Sequence, residues 1–459
     1  MAVISIVKLS QVEGAWRLDA DYYQPEYMET KNKLALIKNV VRLRDIASIA
    51  TGPAYSSKEM GEDFDTPVAR IGDVTNKTDV EDWIKLSKAE FEKFDCKKIE
   101  SLDILMTMTG DPPDVGKCNL IKIPNDRNLA FNQRVAKVSA KISPYYLFAY
   151  LSTEIARMQS ERSALGIRQR NVGINDLKNI RVVLPSSNTL RLTIDNLVSQ
   201  YLAELENSKS LYSQAENLLL EGLGLKDFKP KYELSYTANL SEAFGVRRVD
   251  AGYFQPAYEQ VTRRVLDYQN GYTPLLGCVE AVRADFDPAK HPDNSFNYIE
   301  LADIDASIGV IHSASEIKGK EAPSRARRVI RRGDVIASSV EGSLEKVALV
   351  DEEHEGSLAS TGFFQFRART IYPEVFLVLS KSVVLQAQLK RECAGTILTA
   401  VPNESLKRIL VPVLPPETQQ KITSLIQQSH GARRKAKRLL EEAKSKVEQA
   451  IEAASLNQH

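Results

Sequence analysis

The chain has 459 residues, 43% of them hydrophobic, and a formal net charge of +1. That is too long for one ordinary domain and too evenly charged for a global pull toward nucleic acid or a membrane, so any basic surface must be local. The start MAVISIVKLS has no charged segment leading into a long apolar one, and no run approaches a spanning helix. Cys96, Cys118, Cys278 and Cys393 form no CxxC pair, which predicts buried, reduced thiols in a cytoplasmic protein without a zinc site or membrane span.

In chain order, the first legible phrase is RLDADYYQPEY at 17–27, and it returns at 248–258 as RVDAGYFQPAY. Arg17, Asp19, Ala20, Tyr22, Gln24, Pro25 and Tyr27 come back as Arg248, Asp250, Ala251, Tyr253, Gln255, Pro256 and Tyr258. A helix is expected from about Pro25 to Val40, then the β-type runs VVRLRDIASI, TPVARIGDV, DILMTM and RVAKVSAKI. Pro144 opens a second helix to about Met158, proline being harmless in a first turn. From Leu190 a seam of Ile194, Leu197, Tyr201, Leu205, Ser208, Tyr212, Ala215 and Leu219 predicts a long helix, stopped by Gly222 and Gly224. The second half answers with FNYIELADI, DVIASSV, EKVALVD and FFQFRA, then a helix over Pro373–Leu389. A second seam follows through Ile422, Leu425, Ser429, Ala432, Ala436, Leu439, Ala443, Val447 and Ala450.

The echo between the halves is continuous. Ile71-Gly72-Asp73 matches Leu301-Ala302-Asp303, Asp103 matches Asp334, Lys117 matches Lys346, and GINDLKNIRVVLP matches VPNESLKRILVPVLP. The offset drifts only from 231 to 229 residues, which identifies a tandem duplication of an α+β globule followed by a long helix. Each helix could lie on its own globule. Sparse small residues at both seams favour packing of the two helices against each other, antiparallel.

This order of segments resembles the specificity subunit of Type I restriction–modification enzymes. The resemblance covers essentially the whole chain and rests on DADYYQPEY and DAGYFQPAY, on GINDLKNIRVVLP and SLKRILVPVLPPETQQKI, and on the duplication. It implies two tandem α/β target-recognition domains, 1–189 and 236–415, joined by two long antiparallel coiled-coil helices at 190–235 and 416–459, pseudo-two-fold symmetric. It also implies a non-catalytic subunit that reads a bipartite, gapped sequence in double-stranded DNA and docks methyltransferase subunits, to which restriction or motor subunits can add. S-adenosylmethionine, Mg²⁺ and ATP would then sit on those partners and no cofactor on this chain. Tyr22, Pro25 and Tyr27, with Tyr253, Pro256 and Tyr258, would start the helix that docks each globule onto the shared coils. One departure is that LPSSNTLRLTI stands where the second half has LPPETQQKI, so the first long helix is expected to begin differently. A helix of about thirty residues spans ~45 Å, which would set a gap of about one DNA turn between half-sites. Two alternatives are a similar specificity subunit of another modification or defence system, and a coiled-coil scaffold that binds no DNA.

Base readout needs Arg, Lys, Asn, Gln, Ser or Thr on loops that reach a groove. In the first half three loops qualify: Tyr55, Ser56 and Lys58; Thr109 and Lys117; and Arg168, Gln169, Arg170 and Asn171, which follow Arg162. In the second half the candidates are Arg283, Lys290, Ser338 and Lys346, with the basic run Arg325, Arg327, Arg328, Arg331 and Arg332 for phosphates. The cluster Arg433, Arg434, Lys435, Lys437 and Arg438 reads as a solvated face or a methyltransferase contact. Catalytic signatures are weak. DPPD at 111–114 carries Asp114 where an amino-methyltransferase needs an aromatic, EIK at 316–318 lacks an acidic partner strand, and no GxxxxGK[ST] loop occurs. The five histidines show no metal or triad spacing.

Overall fold

The computed structural model describes residues 19–75, 80–94, 98–110, 114–123, 127–166, 169–226, 228, 230–394 and 399–456. The fold mixes helix and sheet, and the chain divides into two units, Met1–Leu205 with Arg434–His459 and Glu206–Arg433. The division falls inside each of two long helices, Asn188–Gly222 and Pro416–Leu456.

In the first unit the helix Pro25–Ala35 begins on its proline and stops short of Val40. The reason is that Val40–Arg42 is already a strand, paired antiparallel with Arg181–Val183. A four-stranded sheet follows in the order Ala47–Thr51, Val135–Ala140, Ile104–Thr107, Cys118–Leu120, with every neighbouring pair antiparallel. The helix expected over Pro144–Met158 is two helices, Pro144–Leu151 and Glu154–Ser163. Thr153 makes the break: its hydroxyl accepts from the Ala156 N–H and caps the second helix. Tyr146, Phe148 and Tyr150 are buried under this pair, in one core with Ile194, Val198, Ala436, Ala443, Val447 and Ile451.

The second unit repeats the plan. Pro256–Leu266 begins on its proline, and Tyr272–Pro274 pairs with Leu410–Pro412. The sheet runs Val279–Ala281, Phe363–Ala368, Asp334–Ser338, Val347–Leu349, the same strand order as in the first unit. The helix expected over Pro373–Leu389 breaks at Ser382, whose hydroxyl accepts from Val384 N–H, giving Pro373–Lys381 and Val383–Glu392. A second sheet orders Ser315–Lys318, Ser295–Ile299, Leu358–Ser360 and Ala326–Val329.

Equivalent bonds hold both units. The Leu43 N–H donates to the Ile180 carbonyl and the Leu275 N–H to the Ile409 carbonyl, each at 2.8 Å. Gln159 grips the main chain of Arg181, accepting its N–H at 2.8 Å and donating to its carbonyl at 3.1 Å. Gln388 does the same to Leu410, at 2.8 Å both ways. Asp73 accepts the Arg70 N–H and Asp303 the Glu300 N–H, each at 2.8 Å.

The expected seams are mostly buried. Ser208 and Ser429 are fully enclosed, and each hydroxyl donates to the other's carbonyl, at 2.8 and 2.7 Å. The second seam departs from expectation at three positions: Leu425, Leu439 and Ala450 are only half-buried, and Ile426 and Ile451 are buried beside the first and last. An α-helix turns every ~3.6 residues, so a strict 3.5-residue repeat drifts off the buried face. The first long helix begins under Ser187, whose hydroxyl accepts the Leu190 N–H at 3.1 Å, whereas the second begins on Pro416.

Asp334 is buried and accepts from the Arg331 N–H (3.0 Å), Gln365 Nε2 (2.7 Å) and Arg367 Nε and Nη2 (2.9 and 3.0 Å). Its removal takes the carboxylate from the Arg367 guanidinium and leaves the buried Gln365 amide only the Val329 carbonyl, at 3.0 Å. Asp334→Ala is expected to cost about 3 kcal/mol, read as a lower urea midpoint by circular dichroism.

Candidate nucleic-acid interface

In the first unit the three loops singled out in the sequence meet at one edge. The loop after Ala47–Thr51 leaves at Gly52, where a Cβ would lie 1.8 Å from the Phe131 carbonyl oxygen, so only glycine allows the close approach. The Pro53 carbonyl then accepts from Gln133 N–H at 3.1 Å, and the Met108 N–H donates to the Arg134 carbonyl at 2.9 Å. Thr109–Gly110 pairs with Arg170–Asn171, and the Thr109 hydroxyl donates to Asn171 Oδ1 at 2.6 Å. Gln133 and Arg134, both exposed, sit where these loops converge. Sequence reasoning passed over them; the available signal was the polar triplet Asn-Gln-Arg between two apolar strand segments.

The second unit builds the corresponding edge around Thr361 and Gly362. The Thr361 N–H donates to the Arg325 carbonyl (2.8 Å), Ser339 N–H to the Gly362 carbonyl (2.9 Å) and Val401 N–H to the Ser339 carbonyl (2.8 Å). Phe286 N–H donates to the Arg327 carbonyl at 3.2 Å, which brings the loop containing Arg283 alongside.

The candidate residues divide by exposure. Ser56, Lys58, Gln169, Asn171, Arg283, Lys290, Arg325, Arg331 and Arg332 are exposed, Arg332 beside Glu352 at 3.4 Å. Lys117 is half-buried and paired with Asp114 at 2.6 Å, and Arg170 is held by Asp21 at 3.3 Å. Arg327 is half-buried and turns back to the Ser324 carbonyl at 2.9 Å. Tyr55 stacks edge-on against Phe94, and burial with the Glu90 charge pushes its phenol up to about 12. Four of the candidates are engaged within the fold. Thr109 and Ser338 are buried and their hydroxyls are bonded to Asn171 and Ser343. Arg328 is buried with Nη1 on the Val282 carbonyl at 2.8 Å, and burial lowers its pKa. Lys346 is half-buried and donates to the Ile304 carbonyl at 2.8 Å. In Ala326–Val329 alternate residues face inward, Arg328 among them, whereas Asp334–Ser338 is buried throughout and Lys346 precedes its strand. Arg168 lies outside the described residues, as do Arg17, Cys96 and residues 111–113 of DPPD.

The repeated phrase has an inward role. Tyr22, Tyr27, Tyr253 and Tyr258 are all buried, and Pro25 and Pro256 start their helices. Arg162 lies 4.0 Å over the Tyr22 ring, while Arg248 and Arg391 each lie 4.5 Å from the Tyr253 ring. These rings fix the opening helix to Glu154–Ser163 or Val383–Glu392 of the same globule, and in the first unit Lys33 of that helix also pairs with Glu452 of the second long helix. On the second long helix, Arg433 pairs with Asp305 at 3.3 Å and Lys435 with Glu204 at 2.6 Å; Arg434, Lys437 and Arg438 lie on the exposed side. Cys278 and Cys393 are buried, which pushes their thiols up to about 11. Among the described residues no group of His, Cys, Asp and Glu is placed to hold a metal, and no helix is long and apolar enough to cross a membrane.

Exposed amide, hydroxyl and guanidinium groups on loops anchored to a rigid sheet are the equipment of a module that reads polar edges. Residues 38–217 match the family model of the Type I restriction modification DNA specificity domain. Among solved structures, a chain described for complex assembly and conformational transition of the type I R-M system is 35% identical, covering 33% of this chain and 40% of its own, with a TM-score of 0.30. The HsdS subunit from Thermoanaerobacter tengcongensis is 34% identical over the same shares, with a TM-score of 0.30. The S subunit of a Type-I restriction-modification system from M. genitalium is 13% identical, covering 90% of this chain and 95% of its own, with a TM-score of 0.37. The chain spans 40% of the length of the first two structures. No curated protein matches it.

Thr109→Val removes the tie between two of the converging loops in the first unit. The expected loss is about 1 kcal/mol, a fall of roughly 2–4 °C in melting temperature by calorimetry.

Proposed function

We propose that the whole chain is the sequence-specific DNA-recognition subunit of a Type I restriction–modification system. The observation that carries the reading is the specificity-domain match at 38–217 together with the recurrence of its strand order and its glutamine clamp in the second unit. In this reading 1–189 and 236–415 are two target-recognition domains, each reading one half of a gapped duplex site. The segments 190–235 and 416–459 form an antiparallel coiled coil under pseudo-two-fold symmetry. Diverged loops on a retained frame let the two domains read different bases, so the target need not be palindromic. The coils hold the methyltransferase subunits, with Arg434, Lys437 and Arg438 as contact candidates, and restriction subunits join that complex. S-adenosylmethionine, Mg²⁺ and ATP are bound by those partners, in the cytoplasm, and this chain performs no chemistry itself.

The DNA-facing residues in this proposal are Ser56, Lys58, Gln133, Arg134, Gln169 and Asn171 in the first domain and Arg283, Lys290, Arg325 and Arg331 in the second. Methylome sequencing of cells with and without the gene should show one split, gapped motif that depends on it, and the reading fails if no such motif does. Arg325→Ala should weaken duplex binding and lower the slope of log affinity against log salt by about 1, whereas buried Arg328→Met should leave that slope unchanged.

The coils would also act as a ruler. One heptad inserted within Ala203–Ala215 adds ~10 Å, about three base pairs of duplex. The methylated motif should therefore gain spacing or vanish, and an unchanged gap rules the ruler out.

A further inference from the structure

Arg42 and Arg181 are direct partners in the short ladder of the first unit. Directly opposed residues of an antiparallel ladder put their side chains on one face, and like charges there repel. Neither arginine has an acidic partner among the described residues; Arg42 Nη1 donates only to the Asn179 amide oxygen at 3.3 Å. Both line a cavity of about 320 Å³, together with Lys31, Arg162 and a single acid, Asp176. Its apolar lining comes from Leu34, Ile180 and Met158. The position of Arg181 is fixed from behind by Gln159 on its main chain and by the Tyr150 hydroxyl, which donates to its carbonyl at 2.7 Å.

The second unit shows what this place looks like without the charges. The same ladder position is Pro274 opposite Leu410, and Lys31 is replaced by Thr262. Where the first unit has Asn179 and Ser163, the second has Arg408 and Glu392, bonded to each other at 3.1 and 3.2 Å. There the frame supplies its own counter-charge. In the first unit the opposed guanidiniums of Arg42 and Arg181, with that of Arg162, line a cavity whose one carboxylate is Asp176.

We propose that this cavity binds the phosphate of a small phosphorylated molecule. Two guanidinium forks match the oxygens of a phosphate, and a dianion offsets the opposed arginines better than a single carboxylate does. The volume lies at the lower end of small-molecule pockets, about 300–1,000 Å³, and the apolar lining suits an organic group of mononucleotide size. The site does not depend on the DNA-reading edge.

Isothermal titration of the full chain at fixed ionic strength, with a nucleoside 5′-monophosphate, the parent nucleoside and inorganic phosphate, tests the proposal. The monophosphate should bind, inorganic phosphate more weakly, and the nucleoside not at all. Arg181→Leu, which copies Leu410, should weaken monophosphate binding roughly tenfold while the unliganded melting temperature stays equal or rises. Arg42→Gln should weaken it likewise, and Arg332→Leu should leave it unchanged. No binding of either phosphate, full binding in both Arg181→Leu and Arg42→Gln, or binding of phosphate only within duplex DNA or of an acidic peptide instead would each overturn the assignment.

Discussion

In each unit a three-residue ladder ties the start of the globule to its end, Val40–Arg42 to Arg181–Val183 and Tyr272–Pro274 to Leu410–Pro412. A ladder this short is marginal alone. It holds because a glutamine from the preceding helix pair, Gln159 or Gln388, satisfies both main-chain groups of one ladder residue. The long helix starts within a few residues of that ladder, so its launch point follows from the closure. The opening helix is fixed at the other side by the arginine-covered tyrosines, Tyr22 under Arg162 and Tyr253 between Arg248 and Arg391. With both ends pinned, the loops between the strands can change without moving the frame.

The long helices obey a different constraint. Their buried positions are small or polar where the backbones come close: Ser208 and Ser429 exchange hydroxyl-to-carbonyl bonds in the second unit, and Ala436 and Ala443 are fully buried in the first. An all-leucine seam would bury more area but would tolerate several registers. A buried serine pair whose hydroxyls satisfy each other's carbonyls penalises slippage, because a shifted register leaves polar groups buried and unpaired. Such a seam trades some stability for a defined register.

How far the sequence revealed this depended on the kind of signal. Both long helices, and the glycine stop of the first at Gly222, were legible because a seam at helical period runs through each. The helix breaks at Thr153 and Ser382 were missed because a hydroxyl cap inside an apolar run looks like one more helical residue until its bond to Ala156 or Val384 is seen. The loops themselves were legible from their Gly, Pro and polar content, but the inward turn of Thr109, Arg328 and Ser338 was not: parity turns Arg328 in, Ser338 ends a strand buried throughout, and strands this short give few residues to fix the pattern. Gln133 and Arg134 were missed for the converse reason: two exposed residues between buried strands carry almost no pattern of their own.

Two units with the same strand order also separate frame from function by physical means. Where both copies keep a residue and its bond, as with Asp73 and Asp303 accepting a main-chain N–H at 2.8 Å, the residue serves the fold that both must adopt. Where the copies differ at one ladder position, the fold tolerates either solution, so the difference is free to serve something else. Arg42 opposite Arg181 is the less favourable solution for the fold, because it opposes two like charges that Pro274 and Leu410 avoid. A costly arrangement at a position where a neutral one demonstrably fits the same frame points to a ligand that offsets the cost.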